Sequence, residues 1–441
     1  LTVTALAIET PYQSDGPAQL ILASVDLCYI HKDMMQAIRQ QLREHHPQVD
    51  ADRVIISATH THSAPPLNAY GQQTDAMLEP EYVAYASPRI AATLAKAWDN
   101  RKPGGISYGL SHAVVGHNRV AAYASGESVM SGKLDRPDFS HIEGYEDHAV
   151  NLLYTWDDKR QLTGVLVNAA VTAQTLQSTT LISADIWFET RNELRKRLGQ
   201  GLFVLPQVSS AGDQMSSVRT NARAEQRMEQ LTGRTRRDQI AHRLANAVED
   251  ILPLMKENIE WSPVHRHYFE HVKLTRRQVT AKDLADAQEA IDKAQVEINA
   301  LQAQQQADEK LKEDTAWLKK LTRAQWHFNR GRRVLELADR AKQEPTTTAE
   351  LHVVRLGDIA FASNPFELYL DYGIQIKVRS PAVQTFVIEL ANSWLMYLPT
   401  QRSVAGGAYG GTPASSREAG PEAGKELVEW TVAQLEKLWQ Q

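Results

Sequence analysis

The feature that most limits the folds open to this chain is a repeated pairing. A short apolar run rich in β-branched residues is followed at once by a cluster of His, Arg, Asp, Glu or Tyr. The sharpest case is RVIISATHTHSAPP, residues 53–66. Val54, Ile55 and Ile56 read as a buried strand. His60 and His62 follow, flanked by Thr59, Thr61 and Ser63, and Pro65 and Pro66 stop any helix. Residues two apart in an extended segment point the same way. His60 and His62 can therefore converge on one pocket at a strand's end, where α/β proteins bind ligands. Taken alone, the pair fits a metal or acid/base role and two loop histidines equally well.

The same pattern recurs in GHNR at 116–119, SAGDQMSS at 210–217, NPFEL at 364–368 and MYLPT at 396–400. Five such clusters favour one shared site over five unrelated loops. Glu367, just after Pro365, reads either as a carboxylate stabilised by a helix start or as a hard oxygen ligand or general base. Tyr397, between Met396 and Leu398, reads as a core tyrosine.

Between these clusters the periodicity gives a mixed order of elements. Strands over 2–9 and 19–27 pair across the YQSDGP turn, and helices cover 32–46 and 80–99. A strand over 104–115 precedes a polar loop at 126–143, and strands 150–156 and 162–170 form a hairpin around DDKR. A helix over 186–198 follows Asp185, then a strand over 202–207 and a helical, Arg-rich stretch over 222–252. Strands resume at 351–355 and 359–362, a helix runs from Pro365 to about Arg379, a strand covers 386–390, and a core-packing helix closes the chain over 426–439. Such an order predicts an α/β fold: a layered mixed β-sheet core covered by helices. Residues 282–342 differ: Ile291, Ala294, Ile298 and Leu301 keep 3-4 spacing among Gln, Glu and Lys. This reads as an inserted helical hairpin with a packing or oligomerisation role.

With 441 residues, a net charge of −5, and 42% hydrophobic and 23% charged residues, this is globular composition. Bulk charge does not suit nucleic-acid binding, and no apolar run is long enough to span a bilayer. The single cysteine, Cys28, excludes an intrachain disulfide and a cysteine-cluster zinc site. The chain starts at Leu1, directly in strand-like alternation, so an upstream segment is expected to have been lost, and the absence of a visible targeting segment decides nothing.

THTHSAP (59–65), GHNR (116–119), ISAD (182–185), AGDQ (211–214), NPFEL (364–368), YLPT (397–400) and GGAYGG (406–411) occur in this order. Together they resemble the catalytic domain of the neutral/alkaline non-lysosomal ceramidases, in a divergent bacterial branch. The resemblance spans residues 1–441 apart from the 282–342 insertion. It implies a zinc amidase that cleaves the N-acyl bond of a sphingolipid or related N-acyl compound. It also implies that His60, Glu367 and Tyr397 are zinc ligands, that His62 is a catalytic or hydrogen-bonding partner, and that Arg119 and Tyr409 polarise the scissile carbonyl. That ligand set leaves a coordination position for water, and Arg119 and Tyr409 are suitable oxyanion donors. A secreted or periplasmic location is implied as well; the family's leading segment and the trailing immunoglobulin-like domain of its longer members are expected to be absent from this chain.

Two positions depart from the pattern. Thr172 stands where a second histidine ligand is expected, and a neutral hydroxyl is a poor substitute for imidazole. In Gly212-Asp213-Gln214-Met215-Ser216, Met215 takes the place of a catalytic serine, and Ser216 serves only after a one-residue shift. His62 or His117 can then replace the missing imidazole in a working hydrolase. The alternatives are a catalytically impaired ceramidase-like binding protein and an assembly protein, a homo-oligomer built through the helical insertion.

Overall fold

The computed structural model describes residues 1–13, 16–65, 79–177, 179 and 181–440; Pro66 and the tip of the first turn, Ser14 and Asp15, lie outside the described residues. Three sheets form the core. Val3–Gln13, Gly16–Val25 and Val54–Ala58 make the first, antiparallel and then parallel. The second runs Phe203–Val208, Leu162–Ala169, Ala149–Asp157, Gly104–His112. The third runs His265–Thr275, Thr346–Leu356, Ile359–Ser363, Gln384–Ile388.

Strand alternation explains how the three sheets assemble. Leu20, Leu22, Ile55, Leu153, Leu166, Leu205, Val354, Phe361 and Phe386 point into one shared apolar interior. Their neighbours face outward against helices: Ile21, Ala23, Val54 and Ile56 pack on Lys32–His45 and Glu79–Asp99. Val165 and Val167 pack on Ile186–Leu198 and Arg236–Glu257. Leu351, Ala362 and Val387 pack against Leu370–Arg379 and Pro421–Gln440. The inner strands of each sheet are thus buried on both faces, and a one-residue slip would exchange their two apolar sets.

Several elements differ from expectation. Residues 126–143 are not an irregular loop: Ser128–Met130 and Phe139–Ile142 pair with Val120–Tyr123 in a small sheet. The 222–252 stretch is two helices, Ala222–Thr232 and Arg236–Glu257, broken at left-handed Gly233 and restarted by a Thr235–Asp238 capping box. His265–Thr275 is a strand that the sequence did not announce, paired along its whole length with Thr346–Leu356. The insertion is an antiparallel helix pair, Ala281–Ala307 and Thr315–Gln343, which buries Ile298, Leu301, Trp317 and Ala324 between its helices.

Candidate active site

Parallel pairing brings the polar clusters together. Gly16–Val25 lies parallel to Val54–Ala58, Leu162–Ala169 to Phe203–Val208, and Ile359–Ser363 to Gln384–Ile388. The chain leaves these strands at their C-terminal ends, where ligand crevices form. Backbone bonds from Ala58 N to Leu390 O and from Glu389 N to Val208 O stitch the three sheets together there. Four non-glycine residues with positive φ lie in these segments: His60 (59°), Leu390 (52°), Asn392 (58°) and Met396 (64°). Each such backbone costs about 1–3 kcal/mol and persists where the surroundings over-determine it, commonly at a site.

Glu367 is not at a helix start. Glu367–Leu368 is a short strand parallel to Tyr397–Leu398, with Glu367 directly opposite Tyr397. The helix begins later, at Leu370, whose N–H donates to Asp213 Oδ1 at 3.0 Å. Gly212 makes the close approach workable: a Cβ there would sit 2.4 Å from the Glu367 carbonyl oxygen. Glu367 thus precedes the helix N-cap, Tyr369, by two residues and lies outside the helix's first turn.

The carboxylate and phenol so paired face the histidines. His60 Nε2 lies 3.7 Å from Glu367 Oε2, and His60 Nδ1 lies 3.5 Å from Glu389 Oε1. The His60 and His62 rings stack with centroids 5.3 Å apart. Arg119 donates through Nη2 to Tyr397 Oη at 3.2 Å and to Gly212 O at 3.0 Å, and through Nη1 to Gln174 Oε1 at 3.1 Å. Trp394 Nε1 donates to Glu367 Oε1 at 3.2 Å, and the Tyr409 ring meets that of Tyr397 edge-on at 5.9 Å. All six residues singled out in the sequence thus converge.

Electrostatics keep both histidines neutral. Burial, opposed by Glu367 and assisted by Arg119, lowers His60 to about 4. Burial, then the positive charge His60 can carry and that of Arg119, lowers His62 to about 3. Solvent reaches His62 even though protein surrounds it on most sides, as expected of a ring lining a recess. Burial and the adjacent Glu367 push the Tyr397 hydroxyl well above its ordinary value.

The two departures have structural counterparts. Thr172 is fully buried and donates to Gln174 Oε1 at 3.3 Å, so Gln174 joins it to Arg119 where an imidazole was expected. Met215 pairs with His117, and the neighbouring Ser216 hydroxyl is buried without a hydrogen-bond partner. His117 does not replace the absent histidine: its ring bonds to Glu146 at 3.2 Å, beside His148. Instead Cys28, His60 and His62 bring one donor atom each within 4.8 Å of one another.

Gln174, Glu389, Trp394 and Cys28 escaped sequence reasoning, as did Trp326 and Arg330 of the inserted hairpin. Trp326 stacks on Tyr409 at 6.5 Å, and the Arg330 guanidinium lies 4.6 Å from the Tyr409 ring. The hairpin therefore packs against the site's own loop, and oligomerisation through it gains no support. Only the sulfur chemistry of Cys28 offered a signal; the others depend on strand register.

The residues present fit a divalent metal ion. His60 Nδ1 and Glu389 Oε1 are buried without hydrogen-bond partners among the described residues. The 3.7 Å from His60 Nε2 to Glu367 Oε2 is too long for a hydrogen bond. It approaches the ~3.3 Å between two donors on one tetrahedral zinc with bonds of ~2.0 Å.

No protein-family model matches the sequence, and no curated protein matches it. Solved structures do match in fold. A ceramidase complexed with C2 aligns with a TM-score of 0.68 at 16% identity, over 99% of this chain and 70% of that one. The neutral ceramidase from Pseudomonas aeruginosa aligns with a TM-score of 0.64 at 16% identity, over 96% of this chain and 68% of that one. The chain has the mixed α/β fold of the neutral ceramidases along nearly its whole length.

Proposed function

We propose that this chain is a metal-dependent hydrolase of the neutral ceramidase type, cleaving the amide bond of an N-acyl lipid or a related N-acyl compound. One observation carries this reading: the Glu367–Tyr397 pair lies beside buried His60, with Arg119 bonded to the phenol. His60, Glu367 and Tyr397 would hold the ion. A zinc ion held there supplies Lewis acidity and a water activated near neutral pH. Arg119 and Tyr409 donate toward the carbonyl oxygen as it gains negative charge. Neutral His62 accepts a proton from the attacking water and passes it to the leaving nitrogen, a stronger base, as the C–N bond breaks and the new C–O bond remains.

The test is turnover of zinc-loaded protein on short-chain N-acyl sphingoid bases and simple N-acyl amines, read as fatty-acid release. Turnover is expected, with losses of about 100-fold or more in His60→Ala and Arg119→Ala. Stoichiometric metal with no turnover on either class overturns the hydrolase reading. A second reading, an N-acyl ligand-binding protein, draws on Arg119. Both its terminal nitrogens are already engaged by Gln174, Gly212 and Tyr397, which suits a preset wall better than a donor awaiting charge.

A further inference from the structure

The imidazole missing at Thr172 leaves any ion held by His60 one nitrogen donor short, and the Thr172 hydroxyl is already committed to Gln174. On the other side of His60 the first sheet supplies a replacement. Val25 is opposite Ala58 in the parallel pair, and the ladder continues past the strands: Thr59 N donates to Val25 O and Thr61 N to Leu27 O. The next residue, Cys28, is thereby set beside the His60–His62 segment. The Cys28 sulfur and one nitrogen from each histidine lie within 4.8 Å of one another.

A tetrahedral zinc spaces nitrogen and sulfur donors by about 3.3–3.8 Å. Side-chain rotation of about an ångström closes the difference. A second observation points to a ligand independently of the thiol: His60 is 2% exposed, its Nδ1 faces Glu389 Oε1 at 3.5 Å, and its Nε2 stands 3.7 Å from Glu367 Oε2, beyond hydrogen-bond range. A buried ring nitrogen left so is unfavourable by about 1–3 kcal/mol, and coordination at the ring, with the other nitrogen oriented by a carboxylate, removes that cost.

We propose that Cys28 is a metal ligand, the donor that Thr172 does not supply, joining His60, Glu367 and Tyr397 around a zinc-like ion, with His62 beside it left free to carry a proton. One thiolate and one imidazole beside a carboxylate and a phenol oxygen match the borderline-soft preference of zinc. Binding releases the Cys28 thiol proton to solvent. This deepens the metal-dependent reading above but requires no amide hydrolysis.

The experiment strips the intact protein of metal, titrates it with cobalt(II), and records the near-ultraviolet spectrum alongside metal content. One ion per chain with a thiolate-to-cobalt charge-transfer band is expected. The band should vanish in Cys28→Ser, whose zinc affinity falls by about tenfold or more. Alkylation of Cys28 in the unaltered protein, slowed by zinc, is the measurement that survives if the variant fails to fold. Stoichiometric cobalt without the band, or alkylation indifferent to zinc, overturns the Cys28 assignment and leaves the hydrolase reading standing. Protein that binds no cobalt at all overturns both the assignment and the metal dependence.

Discussion

Glu389 shows how much of this cluster is set by a residue buried behind it. It is fully buried, and its Oε2 accepts from Ala211 N at 2.9 Å and Leu368 N at 3.0 Å. Burial pushes its carboxyl well above the usual range, against the pull of those two N–H donors. Its other oxygen stands 3.5 Å from His60 Nδ1, placed to orient the ring so that Nε2 is left toward Glu367. Such carboxylate–histidine pairs typically govern metal affinity by 10–100-fold. Glu389→Ala is therefore expected to weaken zinc binding by about that factor, measured by competition with a chromophoric chelator. Glu389→Gln, which keeps polar atoms at both positions, should lose less. Equal affinity in the alanine variant would remove Glu389 from the site's machinery.

At the scale of elements, the inserted hairpin acts on the site through one loop. Arg330 donates to Ser415 Oγ at 3.0 Å and to Thr412 Oγ1 at 2.9 Å, while its guanidinium lies 4.8 Å from the Trp326 ring and 4.6 Å from that of Tyr409. Two hydrogen bonds of about 1 kcal/mol each and a cation–π contact of about 0.5–2 kcal/mol hold Tyr409 in place. Arg330→Ala should speed hydrogen exchange of the 409–416 amides by about tenfold or more and leave exchange in the three sheets unchanged. Unchanged exchange at 409–416 would mean the loop holds itself. The hairpin's helices were legible because Ile291, Ala294, Ile298 and Leu301 repeat at helical spacing. Its reach to Tyr409 was not, because Trp326 and Arg330 look like any exposed-face residues until the partner loop is known. The same limit applies to Glu367, whose Pro365 suggested a helix start. The pairing with Tyr397–Leu398, a contact 30 residues distant in sequence, prevailed over that local cue. Strand ends carrying His60, His62, Arg119 and Tyr397 could be read directly, since an apolar run followed by polar residues is a local pattern. Gln174 required the register between strands, which no local pattern encodes.

Across the whole molecule, the first and third sheets are locked by a buried polar network behind the site. Arg39 on the first helix forms a two-pronged ion pair with Glu350, whose Oε1 also meets His352 Nε2 at 2.7 Å and accepts from Asn392 Nδ2 at 2.7 Å. Asn392 Oδ1 in turn accepts from Ile56 N at 2.8 Å, on the strand leading to His60, and His267 Nε2 bonds His352 Nδ1 at 2.9 Å. Burial lowers His267 well below its ordinary value and, against the pull of Glu350, lowers His352 too. Burial alone would raise the Glu350 carboxyl, but Arg39 and His352 hold it well below the usual range. The signs agree. Below about pH 6.5 the unfolded chain takes up protons at these histidines that the folded chain refuses, so stability falls as the pH falls. The Glu350 contribution is present above its unfolded value, near 4.5, and is lost as the pH drops further through the folded one. Urea unfolding between pH 7 and pH 5 should therefore show declining stability, and Glu350→Ala, which leaves half-buried Arg39 without its two-pronged partner, should cost about 3 kcal/mol at pH 7. Because the network reaches the His60 strand through Asn392, that variant should also bind zinc more weakly. A flat pH response would show that these histidines are solvated in the folded state, and undiminished zinc affinity would show that the site holds its shape without the lock behind it.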